Sequence, residues 1–229
     1  MIQFLSMFFL VASCVLATGP AHSAKKQKAA SCFKTDQLIT CNISDLHPTQ
    51  FNAGMEEVET QTKKVKKNPE GFKKDNPAPV VVGLGGKLFV LDHHHHLLAL
   101  ARASETTAIC LKQADLSSLG PDAFWKEMSD RGWVYLKDKG VERQPNDLPA
   151  TVTALGDDPY RTFAKTVEDR GGFDKVPCAL YEEFKWADLF RAHPEISLKD
   201  GDQAVQNAVQ LAKTAEACSL PGFRGTACK

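Results

Sequence analysis

Four consecutive imidazoles, His93 to His96, stand between the apolar run 87–91 and an apolar helical pattern reaching about Ala103. Imidazole changes charge near neutral pH, so such a group can move protons, donate to an anion or ligate a metal. Successive residues on a helix lie about 100° apart, so four in a row cannot all face one ion. His93 and His96, at i and i+3, share a side that Leu97, Leu100, Ala101 and Ser104 continue. That side is expected to turn to the core, leaving His94 and His95 nearer the helix mouth. Asp92 is placed to cap the helix. The first turn of a helix presents unpaired N–H groups and positive potential, an anion site in itself. The same potential disfavours imidazolium, so some rings are expected to be neutral. The spacing lacks the i, i+4 pair common in metal sites. The cofactor stays open, with a divalent metal ion on His94 and His95 as the candidate. A plain cap at Asp92 and structural histidines compete with each of these roles.

The elements that must hold these residues follow from the pattern around them. "PVVVG" (79–83) and "KLFVLD" (87–92) read as strands around an "LGG" turn, and "TTAICLK" (106–112) as another. "LITCNISDLHPTQF" (38–51) looks extended and breaks at Pro48. "AGMEEVETQTKKVKK" (53–67) carries Met55, Val58 and Val65 at helical spacing, acids first and lysines last, and Pro69 and Gly71 are expected to end it. Later helices are expected at 121–132, at 158–172 with Asp158 as N-cap and Pro159 following, at 179–193 with Leu180, Phe184, Ala187 and Phe190 on one face, and at 200–218. The stretch 133–140 reads as a short strand or arm. The expected class is α+β: a small mixed β-sheet with packed helices over 32–115, then a mainly helical region over 116–229. Lys63, Lys64, Lys66, Lys67, Lys73 and Lys74 read as a solvated helix end, Asp157 and Asp158 as capping residues, and Trp125, Trp133 and Trp186 as core.

The chain has 229 residues and a formal net charge of zero, so nothing global attracts nucleic acid. Residues 2–17 are almost wholly apolar and small residues follow, as in a cleaved secretory signal peptide over 1–24, but the usual Lys or Arg of its n-region is missing. A lipoprotein with Cys14 modified and an uncleaved anchor are the rivals. Residues 25–31 read as a flexible tail. Removing the leader leaves six cysteines, an even number that suits disulfides in an exported protein. Cys32–Cys41 and Cys218–Cys228 are the expected short loops, with Cys110 as a buried thiol. No C-x-x-C occurs, which gives a zinc ribbon no support.

"FVLDHHHHLLALARA" resembles the ParB/sulfiredoxin superfamily box, in which a strand leads to D-G-H-H-R and an amphipathic helix. Asp92 takes the Asp, His94 and His95 the two histidines, His93 the Gly position and His96 the Arg position. "LHPTQFNAGMEEV" (46–58) is similar to the first box of that superfamily. "DDPYRTFA" and "YEEFKWADLFR" look like the extra helical region of its exported ParB-like nuclease subgroup. The resemblance implies a mixed sheet with phosphate or nucleotide bound at the turn before the helix. It implies that Glu56 or Glu57 serves as a base facing His94 and His95, and that His47 and Gln50 line the same cleft with Asp92, His93 and His96. The departures at His93 and His96 lose a glycine's close approach and an arginine's fork. No cysteine stands in 92–96, so sulfinate reduction has no support.

These features point to an exported phosphodiester hydrolase of nuclease-like type, because the outside of a cell offers little nucleotide to a transferase. The alternative is a non-catalytic nucleotide-, anion- or metal-binding module on the same fold. A cytosolic-type kinase would require the leader reading to be false. The expected partner is a phosphate-containing ligand or nucleic acid, with no membrane partner once the leader is removed and the oligomeric state open.

Overall fold

The computed structural model describes residues 32–33 and 37–228. The expected leader (1–24) and tail (25–31) lie outside the described residues. In chain order the elements are β1 (Leu38–Asn42), β2 (Leu46–His47), β3 (Asn52–Ala53), α1 (Met55–Lys67), α2 (Pro69–Asp75), β4 (Ala78–Val82), β5 (Leu88–Val90), α3 (His94–Arg102) and β6 (Thr107–Asp115). There follow α4 (Pro121–Asp130), β7 (Lys137–Asp138), β8 (Val141–Glu142), β9 (Gly156–Asp157), α5 (Pro159–Asp169), α6 (Glu182–Ala192) and α7 (Asp202–Leu211).

The main sheet has the order β1-β6-β4-β5-β2. β1 is antiparallel to β6, β6 parallel to β4, β4 antiparallel to β5, and β5 parallel to β2. The sheet is mixed and the fold α+β, as expected. β4, "APVVV", is buried along almost its whole length because both faces of this central strand are covered. Alternation along β4 and β5 sorts the core: Ala78, Val80 and Val90 pack with Val58, Val65 and Leu97 from α1 and α3. Val81, Phe89 and Leu91 pack on the other face with Phe124 and Met128 of α4. Gly83 permits that second layer, since a Cβ there would lie 2.5 Å from the Phe124 ring. A separate cluster of Phe163, Val167, Trp186, Phe190 and Ala208 joins α5, α6 and α7. No helix among the described residues is long and apolar enough to cross a membrane.

Four expectations change. Lys73 is not part of a solvated helix end but is buried, paired with Glu105 at 2.6 Å and Glu70 at 2.8 Å. α1 ends at Lys67 as expected, but Pro69 and Gly71 begin a further helix: Asn68 accepts a hydrogen bond from the Gly71 N–H at 2.9 Å and Pro69 opens α2. Asp158 caps α5 through the Tyr160 N–H at 3.0 Å, but Asp157 reaches across to accept the Met55 N–H of α1 at 3.1 Å. Cys32 pairs with Cys178 and Cys41 with Cys110, so Cys110 is not a free thiol and no Cys32–Cys41 loop exists. Cys41 and Cys110 lie on the paired strands β1 and β6, so their side chains meet across the sheet. The Cys218–Cys228 pairing is as expected.

Candidate functional site

β5 ends at Val90, and Leu91 and Asp92 lead into the turn before α3. Asp92 Oδ1 accepts the N–H of His93 at 2.7 Å. This folds the turn but is not the expected N-cap bond. The N-cap is His93 itself, held at φ 65° in the left-handed region. Glycine takes that conformation freely and histidine does not.

The late start of α3 sets which imidazole faces inward. His94, Leu97 and Leu98 are buried, so His94 and not the His93–His96 side begins the core face. His94 is 2 % exposed and its Nε2 accepts the N–H of Thr49 at 3.2 Å. The Thr49 hydroxyl bonds the Val90 carbonyl and lies 2.7 Å from the Tyr181 hydroxyl, which donates to the Trp133 carbonyl at 2.8 Å. Burial, followed by the neighbouring His93, pushes the His94 pKa down to about 3. The ring is therefore neutral, with its proton on Nδ1 and its Nε2 lone pair engaged by the backbone.

The other three imidazoles open onto a cleft of ≈ 430 Å³. The His95 ring lies 4.1 Å and the His93 ring 4.7 Å from that of His96, centroid to centroid, and His96 meets Phe72 edge-on at 5.3 Å. His93 Nδ1 and His96 Nδ1 have no hydrogen-bond partner among the described residues. Burial, then His95 and His93, hold the His96 pKa down at about 2. His95 Nε2 lies 3.3 Å from Glu57 Oε1. Burial and then the Arg161 charge keep the His95 pKa well below its ordinary value.

Glu57 also pairs with Arg161, which is 3.9 Å from Glu183. Burial opposes the Arg161 charge, but Glu183 and Glu57 outweigh it and raise the guanidinium's pKa. Lys175 pairs with Glu183 at 2.7 Å and Glu182 at 3.0 Å. Burial works to raise the Glu183 pKa, but Arg161 and Lys175 bring it below the ordinary value. The cleft thus holds a connected chain His95–Glu57–Arg161–Glu183–Lys175, with alternating charge beyond the neutral ring.

Of the expected residues, Asp92, His93, His95, His96, Glu57 and Gln50 line this cleft. Gln50 is tied down, donating to the Asn52 carbonyl at 2.6 Å. Glu56 lies instead in a separate hollow with Asp157 and Asp202, so it does not face the histidines. His47 lies tilted against Phe89, ring centroids 5.4 Å apart, outside the cleft. Burial and the charge of Lys87 lower its pKa. His94 reaches the cleft wall, but its Nε2 is taken by Thr49. Among the described residues no group of three His, Cys, Asp or Glu could hold a metal ion, so His94 and His95 gain no ligand set.

Sequence reasoning passed over Arg161, Lys165, Glu168, Lys175 and Glu183. A signal for three of them was present: Arg161, Lys165 and Glu168 fall at i, i+4 and i+7 of α5, one stripe of the helix. The cleft also gathers backbone strain. Five described non-glycine residues have positive φ, and three of them, His93, Cys178 and Tyr181, border it.

The family model described as "Putative ParB-like nuclease" matches residues 39–192. The chain belongs to the ParB-like nuclease family. A crystal structure of protein Atu1540 from Agrobacterium tumefaciens is similar to this ParB-like chain, with 34% identity and a TM-score of 0.73 over 83% of this chain and 98% of that one. A truncated chromosome-partitioning protein ParB from Caulobacter crescentus, complexed with CTP-gamma-S, aligns at 11% identity and a TM-score of 0.31 over 79% and 94% of the two chains. That second likeness carries no argument. No curated protein matches the sequence. The family match contains both boxes and the α5–α6 region of this ParB-like protein, so every cleft residue from Gln50 to Phe184 lies within it.

Proposed function

We propose that this protein is an exported phosphodiester hydrolase of nuclease-like type, acting at the cleft before α3. The observation that carries the reading is His95 set against Glu57, whose carboxylate is itself held by Arg161. A proton on Nε2 faces that carboxylate, which leaves the Nδ1 lone pair to take a proton from water. Burial keeps the empty ring neutral, and a docked phosphodiester, being negative, draws its pKa upward toward working pH. The first-turn amides of α3, with Lys165 and Lys175, supply donors for the phosphoryl oxygens. Asp92, His93, His96 and Gln50 remain binding residues of the cleft. Glu56 and His47 lie elsewhere, and His94 holds the turn together from inside.

Four carboxylates, Asp92, Glu57, Glu168 and Glu183, stand among the cleft's three cations, Arg161, Lys165 and Lys175. That balance suits a short phosphodiester better than a long polyanion, which binds through excess positive charge. Support for export comes from the apolar leader and from three disulfides, which persist in oxidising compartments. A second reading, binding of a phosphate-bearing ligand without turnover, is favoured by the α3 amides, which grip an anion whether or not a base is present.

Turnover of plasmid, single-stranded DNA and bis(4-nitrophenyl) phosphate, with and without divalent metal, tests the proposal. His95→Ala and Glu57→Gln are expected to lower it by about 10²-fold or more with the fold intact. Turnover indifferent to both, or none at all, overturns it. Calorimetric binding of phosphate or nucleotide without turnover establishes the second reading.

A further inference from the structure

We infer that Glu168 is the proton donor to the leaving oxygen at this cleft. The inference rests on the hydrolase reading and supplies what that reading lacks, an acid in the same cleft as the His95 base. Glu168 lies in the last turn of α5 and lines the cleft, with its side chain 13 % exposed. Its Oε1 lies 3.6 Å from Lys165, a loose contact, and its Oε2 is buried with no hydrogen-bond partner among the described residues. Every other carboxylate of the cleft is engaged: Asp92 by a backbone N–H, Glu57 by Arg161 and His95, and Glu183 by Arg161 and Lys175. A buried carboxylate oxygen without a donor is costly when charged, whereas the protonated carboxyl offers an O–H that a substrate oxygen can accept.

The groups facing Glu168 are Lys165 and Asp169 from its own helix, Lys175 from the loop beyond and Glu183 from α6. Burial is the largest influence and raises the carboxyl's pKa. The two lysines oppose it, Glu183 and Asp169 add to it, and the result stays above the ordinary value. His95 is displaced in the opposite direction, toward the neutral base. Two titratable groups driven apart by their surroundings are the arrangement that acid–base catalysis requires. The charge of Lys175 acts on both, so both lie within electrostatic reach of one ammonium.

The step balances without a further reactant. Water oxygen bonds to phosphorus as its proton passes to His95. The bond from phosphorus to the ester oxygen breaks, and that oxygen takes the Glu168 proton to leave as an alcohol. Transfer of the extra proton from His95 back to Glu168 through solvent restores the starting state. The sum is one water consumed per ester cleaved.

A leaving-group comparison in the oxidised full-length protein tests this. Nitrophenolate departs without a proton, while the alkoxide of a dinucleoside phosphate needs one. Glu168→Gln is expected to lower kcat/KM for a dinucleoside phosphate by about 10²-fold or more, to leave bis(4-nitrophenyl) phosphate nearly unaffected, and to erase the alkaline limb of the pH profile for the dinucleotide. The ratio of the two substrates within one preparation is independent of how much of the variant has folded. Equal losses on both substrates, or none on either, overturn the role of Glu168 while leaving His95 dependence and the hydrolase reading intact. Absence of turnover in the wild-type protein overturns both.

Discussion

His93 is a β-carbon-bearing residue in a conformation that suits glycine, at the position where the resembled box has glycine. The left-handed region costs an L-residue about 1–2 kcal/mol. Replacing His93 by Gly and by Ala removes the same ring, so their difference reports the backbone alone. The Gly variant is expected to be more stable than the Ala variant by about 1 kcal/mol, or about 2–4 °C in Tm for a chain of this size. At an ordinary helical φ the order would reverse. Equal melting temperatures would show that the turn relaxes. At this scale the sequence was a good guide to identity and a poor one to direction. That the imidazoles and Glu57 line one cleft was legible in the sequence. Which ring faces inward was not, because it depends on α3 beginning at His94 and not at His93, a shift of about 100° in every side-chain direction. Nor could spacing reveal that Arg161, 104 residues beyond Glu57, is its partner.

The elements that carry these residues were read from periodicity, and most of them appear where expected. β4 is a short continuous apolar run buried on both faces, while β6, α1, α5 and α6 carry an apolar pattern with a buried face to show for it. The second helix, α2, escaped notice because Pro69 is read equally well as a stop and as a first helical residue, and only the Asn68 cap decides between them. Asp157 and Asp158 show a similar limit. Adjacent in sequence, they serve the starts of two different helices, α1 and α5, and so fix the entry of one against the entry of the other. Asp157→Ala is expected to cost about 1 kcal/mol, as loss of an N-terminal partner generally does. The effect would be read as a lower Tm and as faster amide exchange confined to the first turn of α1. Exchange spread over α5 instead would assign the residue to its own helix.

The molecule as a whole holds His94, His95 and His96 uncharged, and its stability depends on pH accordingly. His94 and His96 titrate in the fold at about 3 and about 2, whereas an unfolded chain takes those protons near pH 6.5. Between these limits the unfolded state binds more protons, so stability falls as pH drops below about 6.5, by about 1.4 kcal/mol per pH unit for each such imidazole. Chemical denaturation at pH 7, 6, 5 and 4 measures this slope, and His96→Asn is expected to make it shallower. A stability that holds level down to pH 4 would mean that these rings accept protons without opening the fold. The α+β class and the family resemblance were visible from the sequence because they rest on patterns local to each box. The disulfide framework was not, because Cys32 meets Cys178 only after the sheet and five helices have been laid between them.

That last bond makes a closed covalent ring of everything from residue 32 to residue 178, with the Cys41–Cys110 bond as a smaller ring inside it. Gln50, Glu57, the four histidines, Arg161, Lys165, Glu168 and Lys175 all lie on the larger loop. A protease that nicks the backbone once anywhere within it severs one strand of a loop and releases no fragment. In a medium rich in such enzymes, the cleft's residues stay tied to one another through sulfur after the peptide chain between them has been cut.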